Sequence, residues 1–272
     1  MSSVAIPNAD PAERTVATPA ISIVAETSEY LIVDKPPFLL THPTKPNGPR
    51  TLWQELRELL AFEMANGGQI SIVNRLDRET SGLVLVAKTS AAARRFGLLM
   101  QQHGIVKEYL TVVWGWPEWD SKRVDAPLDR QGKHRPSAIW LKRAIFAEGA
   151  PAVTEFSVEK RFRKASGKFS LIRATPLTGR THQIRVHLAS IGHSIVGDKI
   201  YGPDEKLYLQ FIETGWTTAL QHKLLLPRHA LHSARLKVAS AGEWQSDLPP
   251  DLAEFVGDAD TRSGGFPTAD LR

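Results

Sequence analysis

Three groups of residues in this chain have types and spacings suited to chemistry. The first is Asp77, in the segment Val73-Asn-Arg-Leu-Asp77-Arg-Glu-Thr-Ser-Gly82, which leads into the apolar run Leu83 to Ala87. A carboxylate in a turn held by a rigid strand is well placed to act as a nucleophile or a base. The same residues also suit an Asx-turn or a helix cap without chemistry, and spacing alone does not separate the two. The second is Thr178-Gly-Arg-Thr-His-Gln-Ile-Arg-Val-His187, followed by His193, Gly197-Asp198 and Tyr201-Gly202. A helix starting after Thr181 would put Arg180 beside free backbone N–H groups, a corner that attracts a carboxylate or a phosphate. His182, His187 and His193 raise zinc hydrolysis, but they lack the paired histidines and glutamate of a zincin. They read as structural or RNA-contacting. The third is Lys107-Glu-Tyr109, which opens a strand; a strand tyrosine taken alone fits packing equally well.

The whole chain narrows these options. It has 272 residues, 42% of them hydrophobic, enough for a sizeable core. Lysine and arginine total 34 against 29 acidic residues, a formal charge of +5 that suits a polyanionic partner without requiring one. With no cysteine, disulfides, thiolate catalysis, iron–sulfur clusters and thiolate zinc sites are excluded. No segment reads as a secretory signal or a membrane span, so a cytoplasmic protein without membrane contact is expected. Residues 1–20 and 258–272 read as flexible arms around a single domain at 21–257.

The elements that must position these groups follow from periodicity. Strands are predicted at Tyr30–Asp34, Gly82–Ala87, Lys107–Trp114, Ser137–Phe146, Ala152–Phe162, Phe169–Thr175 and His229–Val238. Several alternate apolar and polar residues, as antiparallel strands with one wet face do. Helices are predicted over Thr51–Ala65 behind a threonine cap, over Ser90–Gln102, and from Thr181 to near Gly192. Many strands, few helices and no strict βαβ rhythm indicate an α+β fold, a mixed, mainly antiparallel sheet with flanking helices.

Taken together, the segments resemble the RluA family of RNA pseudouridine synthases. The family's R-L-D-x-x-T-S-G stands at Arg75 to Gly82, its K-x-Y at Lys107 and Tyr109, and its T-G-R-T-H-Q-I-R-V-H at Thr178 to His187. Its G-D-x-x-Y-G stands at Gly197 to Gly202. Asp34-Lys-Pro36 with His42-Pro43, and Ala230-Leu-His232, match its first and last elements, so the likeness covers about residues 21 to 240. Asn74 departs from the family's usual histidine, and the S4 RNA-binding module of some relatives is not expected.

The resemblance implies an isomerase that turns uridine into pseudouridine in ribosomal or transfer RNA, acting as a monomer without cofactor or metal. It implies Asp77 as nucleophile, Tyr109 against the target base, and Arg75 filling the gap left when the uridine is flipped out. A dry carboxylate needs a cation to stay ionised; Arg180 is the expected partner and Arg185 the second choice. Arg78, Thr80, His182 and Arg185 are expected to contact substrate or RNA, and Arg94, Arg95, Lys133, His134 and Arg135 to contact phosphates. Two competing readings are an RNA-binding or assembly factor without turnover, and a metal-dependent hydrolase using the three histidines.

Overall fold

The computed structural model describes residues 21–239 and 241–257. The two expected arms, 1–20 and 258–272, lie outside the described residues. One sheet organises the domain: β1 (Ser22–Glu26), β2 (Tyr30–Lys35), β3 (Ser71–Ile72), β4 (Ser81–Ala87), β5 (Ile105–Trp114) and β6 (Ser121–Asp125). A separate hairpin, β7 (Leu128–Arg130) with β8 (Arg143–Ile145), precedes the long strands β9 (Val153–Lys164) and β10 (Gly167–Pro176), then β11 (Leu231–Val238) and β12 (Gly242–Gln245). The main order is β1-β2-β4-β11-β5-β10-β9-β6, with β3 added to β4 and β12 to β11. All its pairs are antiparallel except β4 with β11. This is the α+β, mainly antiparallel architecture expected from the sequence.

Strand β4 carries no exposed residue because both of its faces are covered. Val84 and Val86 pack with Leu52 and Leu56 of helix α1 (Leu52–Leu59), while Leu83 and Leu85 pack with Phe96 of α3 (Ser90–Gln101). Each such fully buried side chain contributes about 1.5–3 kcal/mol, so the strand that follows Asp77 is a rigid base. Its first turn tolerates only glycine at position 82: φ is +109°, and a Cβ there would run into the backbone of Ser233 on β11. The loop before it is anchored by Asn74, whose side-chain oxygen accepts the Leu85 N–H (2.7 Å) and whose amide donates to the Leu83 carbonyl (3.1 Å). Asn74→Ala should therefore lower stability by about 1–3 kcal/mol, read as a shifted urea midpoint.

Three expected elements differ. The helix over Thr51–Ala65 breaks at Leu60 into α1 and α2 (Ala61–Ala65). The break turns Leu60 into the core and leaves Phe62 and Met64 on the surface. The strand over Ser137–Phe146 shrinks to β8, because the Ser137 hydroxyl accepts the Ile139 N–H and donates to the Ile139 carbonyl, curling the segment. The third helix, α4 (Gln183–Ser190), begins two residues late, since His182 is left-handed at φ 60°. Helices α5 (Lys206–Thr214), α6 (Thr218–Leu224) and α7 (Pro250–Val256) complete the fold. Among the described residues, no helix is long and apolar enough to cross a membrane.

Candidate active site

A cleft of about 550 Å³ opens between the Asp77 loop, the start of β5 and the loop entering α4. Its lining includes Asn74, Arg75, Asp77, Lys107, Tyr109, Arg180, His182 and Arg185. The strand pairing explains the convergence. Tyr109 lies in mid-sheet, opposite Ser233 of β11 on one side and Ala174 of β10 on the other. The Asp77 loop enters β4, which neighbours β11, and the chain leaving β10 leads into α4.

Asp77 is about one-quarter exposed, with a side-chain exposure of 28%. Its Oδ2 accepts a hydrogen bond of 2.9 Å from Nη1 of Arg185. The rest of the Arg185 guanidinium faces Asp198: Nε reaches Oδ2 at 2.7 Å and Nη2 reaches Oδ1 at 2.9 Å. Oδ1 of Asp198 also accepts the N–H groups of Ile200 and Tyr201. One buried cation is thus oriented by a wholly buried carboxylate and presents its remaining edge to the nucleophile candidate. Gly197 makes this possible, because its φ of +79° brings the chain so close to Arg228 that a Cβ would collide with that backbone carbonyl.

The electrostatics follow. Burial alone would raise the Asp77 pKa, but His182, Arg185 and His229 overcome it and hold the carboxyl down at about 2. Burial lowers His182 to about 4 and lowers His229 as well, so both are neutral at pH 7. At neutral pH, Arg185 is therefore the cation among these three that keeps Asp77 charged. Because the folded-state pKa is depressed, the carboxylate is fully ionised above pH about 4 and its charge is lost only as pH falls through about 2. Turnover should show no acid limb attributable to Asp77 above pH 4, as read by single-turnover rates from pH 4.5 to 8; a limb near pH 6 matched by an Asp77 carboxyl resonance titrating at the same pH in NMR would contradict this.

His182 stands beside the pair. Its Nε2 is 3.8 Å from Asp77 Oδ2, and its Nδ1 is 2.8 Å from the Tyr201 hydroxyl. That hydroxyl accepts the Arg143 N–H, leaving its own proton for Nδ1. The matching tautomer turns Nε2–H toward the carboxylate. The phenol of Tyr109 is pushed well above its ordinary pKa by burial and by Asp77, against a bond to Ser233, so it is protonated at pH 7.

One expected placement is corrected. Arg180 does not pair with Asp77; its Nε donates to the Pro151 carbonyl at 3.0 Å, because the left-handed turn at His182 separates it from the first turn of α4. Arg185, in the first turn of α4, takes that place. Thr80 also lines the cleft; it is buried, and its hydroxyl bonds His229 Nε2 at 2.7 Å. Arg75 is exposed at the cleft, whereas Arg78 Nε reaches back to the Phe38 carbonyl. Arg94, Arg95, Lys133, His134 and Arg135 do not line the cleft; Arg95 pairs with Glu29, and Lys133 and His134 pair with Asp129. The three histidines do not converge: His187 bonds Thr154 and the Ala126 carbonyl, and His193 bonds the Trp114 carbonyl.

Sequence reasoning assigned no role to Asp198 or Tyr201, although both lie in the segment Gly197 to Gly202 that had been singled out. It also missed Glu79, which bridges Lys199 (2.7 Å) and the His229 backbone N–H (3.0 Å) behind the Asp77 turn.

A family model described as RNA pseudouridylate synthase matches residues 29–190. The chain is 35% identical over 244 residues to "Ribosomal large subunit pseudouridine synthase D" of Nitrosomonas europaea, covering 87% of this chain and 64% of that protein. It therefore spans just under two thirds of that relative's length. Its identity to the protein of the same name from Zymomonas mobilis is 36%, covering 92% of this chain and 76% of the relative. Its identity to "Dual-specificity RNA pseudouridine synthase RluA" of Vibrio parahaemolyticus is 35%, covering 72% and 75%. Among solved structures, "Human RNA Pseudouridylate Synthase Domain Containing 4" matches with a TM-score of 0.65 at 21% identity, covering 85% of this chain and 90% of that one, and shares the fold.

Proposed function

Because the chain belongs to the RNA pseudouridylate synthase family and is of the RluA type, we propose that it isomerises uridine to pseudouridine in RNA with Asp77 as nucleophile. The observation that carries this reading is the 2.9 Å bond from Arg185 Nη1 to Asp77 Oδ2, which keeps a largely sheltered carboxylate charged at the edge of an open cleft. In the reaction the uridine leaves its stack, at about a few kcal/mol. The carboxylate attacks the flipped nucleotide and forms a bond to it, the N1–C1′ bond breaks, the base turns, and C5 bonds to C1′, with the bond to Asp77 breaking so that the carboxylate is freed. The C5 proton is then lost and N1 gains one, so atoms balance without a cofactor or a metal. Arg75 fills the vacated stack, its guanidinium able to stack as well as pair.

Tyr109 stacks on the base, and its hydroxyl, held by Ser233, relays the C5 proton. Tyr109→Phe should slow turnover by about 10²-fold or more with RNA affinity little changed, as read by filter binding beside a rate assay. The Tyr201 hydroxyl holds His182 at Nδ1, so that its Nε2–H faces the carboxylate.

The relatives' names point to ribosomal RNA of the large subunit for the D-type synthases, and to two specificities for the Vibrio protein. Large-subunit ribosomal RNA is accordingly the substrate we propose, with transfer RNA as the second class. The active form proposed is a cytoplasmic monomer whose residues 21–257 make one catalytic domain. The test is release of tritium to water from [5-³H]uridine-labelled ribosomal and transfer RNA in the presence of chelator. Release from neither RNA would refute the activity, and abolition by the chelator would refute the metal-free mechanism.

A further inference from the structure

We propose that Lys107 is an anion subsite, holding a backbone phosphate of the RNA beside the everted uridine; this rests on the reading that RNA is the substrate. Among the described residues, the side chains of six lysines and arginines are buried: Lys35, Lys88, Lys107, Arg185, Lys199 and Arg228. Five have oxygen partners in the protein. Lys35 donates to the carbonyls of Pro36, Leu39 and Arg78. Lys88 meets Glu26 and Glu63, and Lys199 meets Glu79 and the Pro227 carbonyl. Arg185 is held by Asp77 and Asp198, and Arg228 is held bidentately by Asp251.

Lys107 is different. It is only 7% exposed, and its ammonium has a thioether for company, Met100 Sδ at 3.6 Å, with no carboxylate in ion-pair range among the described residues. A sulfur is a weak acceptor, so the charge is desolvated without compensation, and burial lowers the Lys107 pKa. Such a group is unfavourable unless its partner arrives with a ligand. Lys107 lines the same cleft as Asp77 and Tyr109. It also shares a strand face with Tyr109, two residues and about 7 Å along β5. That is comparable with the distance between base and phosphate within one nucleotide. A uracil stacked on Tyr109 thus brings a phosphate to Lys107, and the phosphodiester is the full negative charge that RNA carries. Gly179 leaves the approach open, since a Cβ there would lie 3.9 Å from Nζ. The subsite would position the nucleotide without touching the reacting atoms.

The experiment measures the Kd of a target-bearing RNA fragment against salt for the wild type, Lys107→Met, Lys107→Arg and Gly179→Val. Lys107→Met is expected to weaken binding about tenfold, with the loss falling on affinity more than on kcat. Its log–log salt slope should be shallower by about 0.7–0.9, the signature of one lost phosphate contact. Lys107→Arg should restore the slope, which a merely structural lysine would not require. Gly179→Val, which keeps the lysine but covers it, should flatten the slope as Lys107→Met does, and it carries the test if Lys107→Met fails to fold. A neutral methylphosphonate at one linkage next to the target should penalise wild type and cost Lys107→Met nothing further. A wild-type slope in both Lys107→Met and Gly179→Val, or the same methylphosphonate penalty in wild type and variant, would overturn the subsite. Failure of the wild type itself to bind RNA would instead sink the substrate reading.

Discussion

Replacing Asp77 with alanine should lower pseudouridine formation by about 10⁴-fold or more, the scale on which removing a nucleophile acts, while leaving the protein folded. The second half of that expectation comes from the geometry. Arg185 loses one partner but keeps its bidentate pair with Asp198, so no buried charge is left alone. The turn survives too, because its backbone bond from the Thr80 N–H to the Asp77 carbonyl does not involve the side chain. Circular dichroism and RNA binding should match the wild type while tritium release from [5-³H]uridine disappears. Asp77→Asn is the stricter version, since it keeps the shape and a hydrogen-bond acceptor for Arg185 and removes only the charge. Turnover by that variant at a rate near the wild type would mean that the carboxylate is not the attacking group.

Arg185→Met should be damaging in a different way. It leaves Asp198 wholly buried and without its countercharge, which costs about 3–5 kcal/mol of stability. It also exposes Asp77 to the burial that Arg185 now offsets, so the carboxyl pKa must rise. Activity should fall by about 10³-fold or more, and any residual rate should acquire an acid limb at higher pH than the wild type. Arg185→Lys should rescue poorly, because an ammonium cannot face two carboxylates as the guanidinium fork does. Arg180→Met should fall far less, since that side chain is tied to the Pro151 carbonyl and not to Asp77. Chemical unfolding alongside the rate assay, at a temperature where the variant is still folded, separates the two losses. If Arg180→Met were inactive and Arg185→Met active, the assignment of the activating cation would have to be reversed.

The pairing of Arg185 shows what the sequence could and could not yield. The strand that follows the Asp77 loop, the one that carries Tyr109 and the one that leads into the arginine segment were readable from alternation and apolar runs. The choice between Arg180 and Arg185 was not. It turns on the left-handed His182, after which α4 starts two residues late with Arg185 buried in its first turn, and the enrichment of histidine in that conformation is too weak to place it. Asp198 was visible as part of a motif, but its role appears only when the chain after α4 folds back on the helix. The break at Leu60 was likewise hidden: the leucine stripe of Thr51–Ala65 continues through a kink that tertiary packing imposes. Thr80 was placed at the cleft by its position in the Asp77 turn, but its bond to His229, distant in the chain, was not legible.

The most direct test of the central claim is to map pseudouridines in the RNA of cells lacking this protein and complemented with either the wild type or Asp77→Ala. One or more uridines should lose the modification in the deletion strain, regain it with the wild-type gene and stay unmodified with Asp77→Ala, although both proteins accumulate equally. Restoration of the same sites by Asp77→Ala would contradict the account.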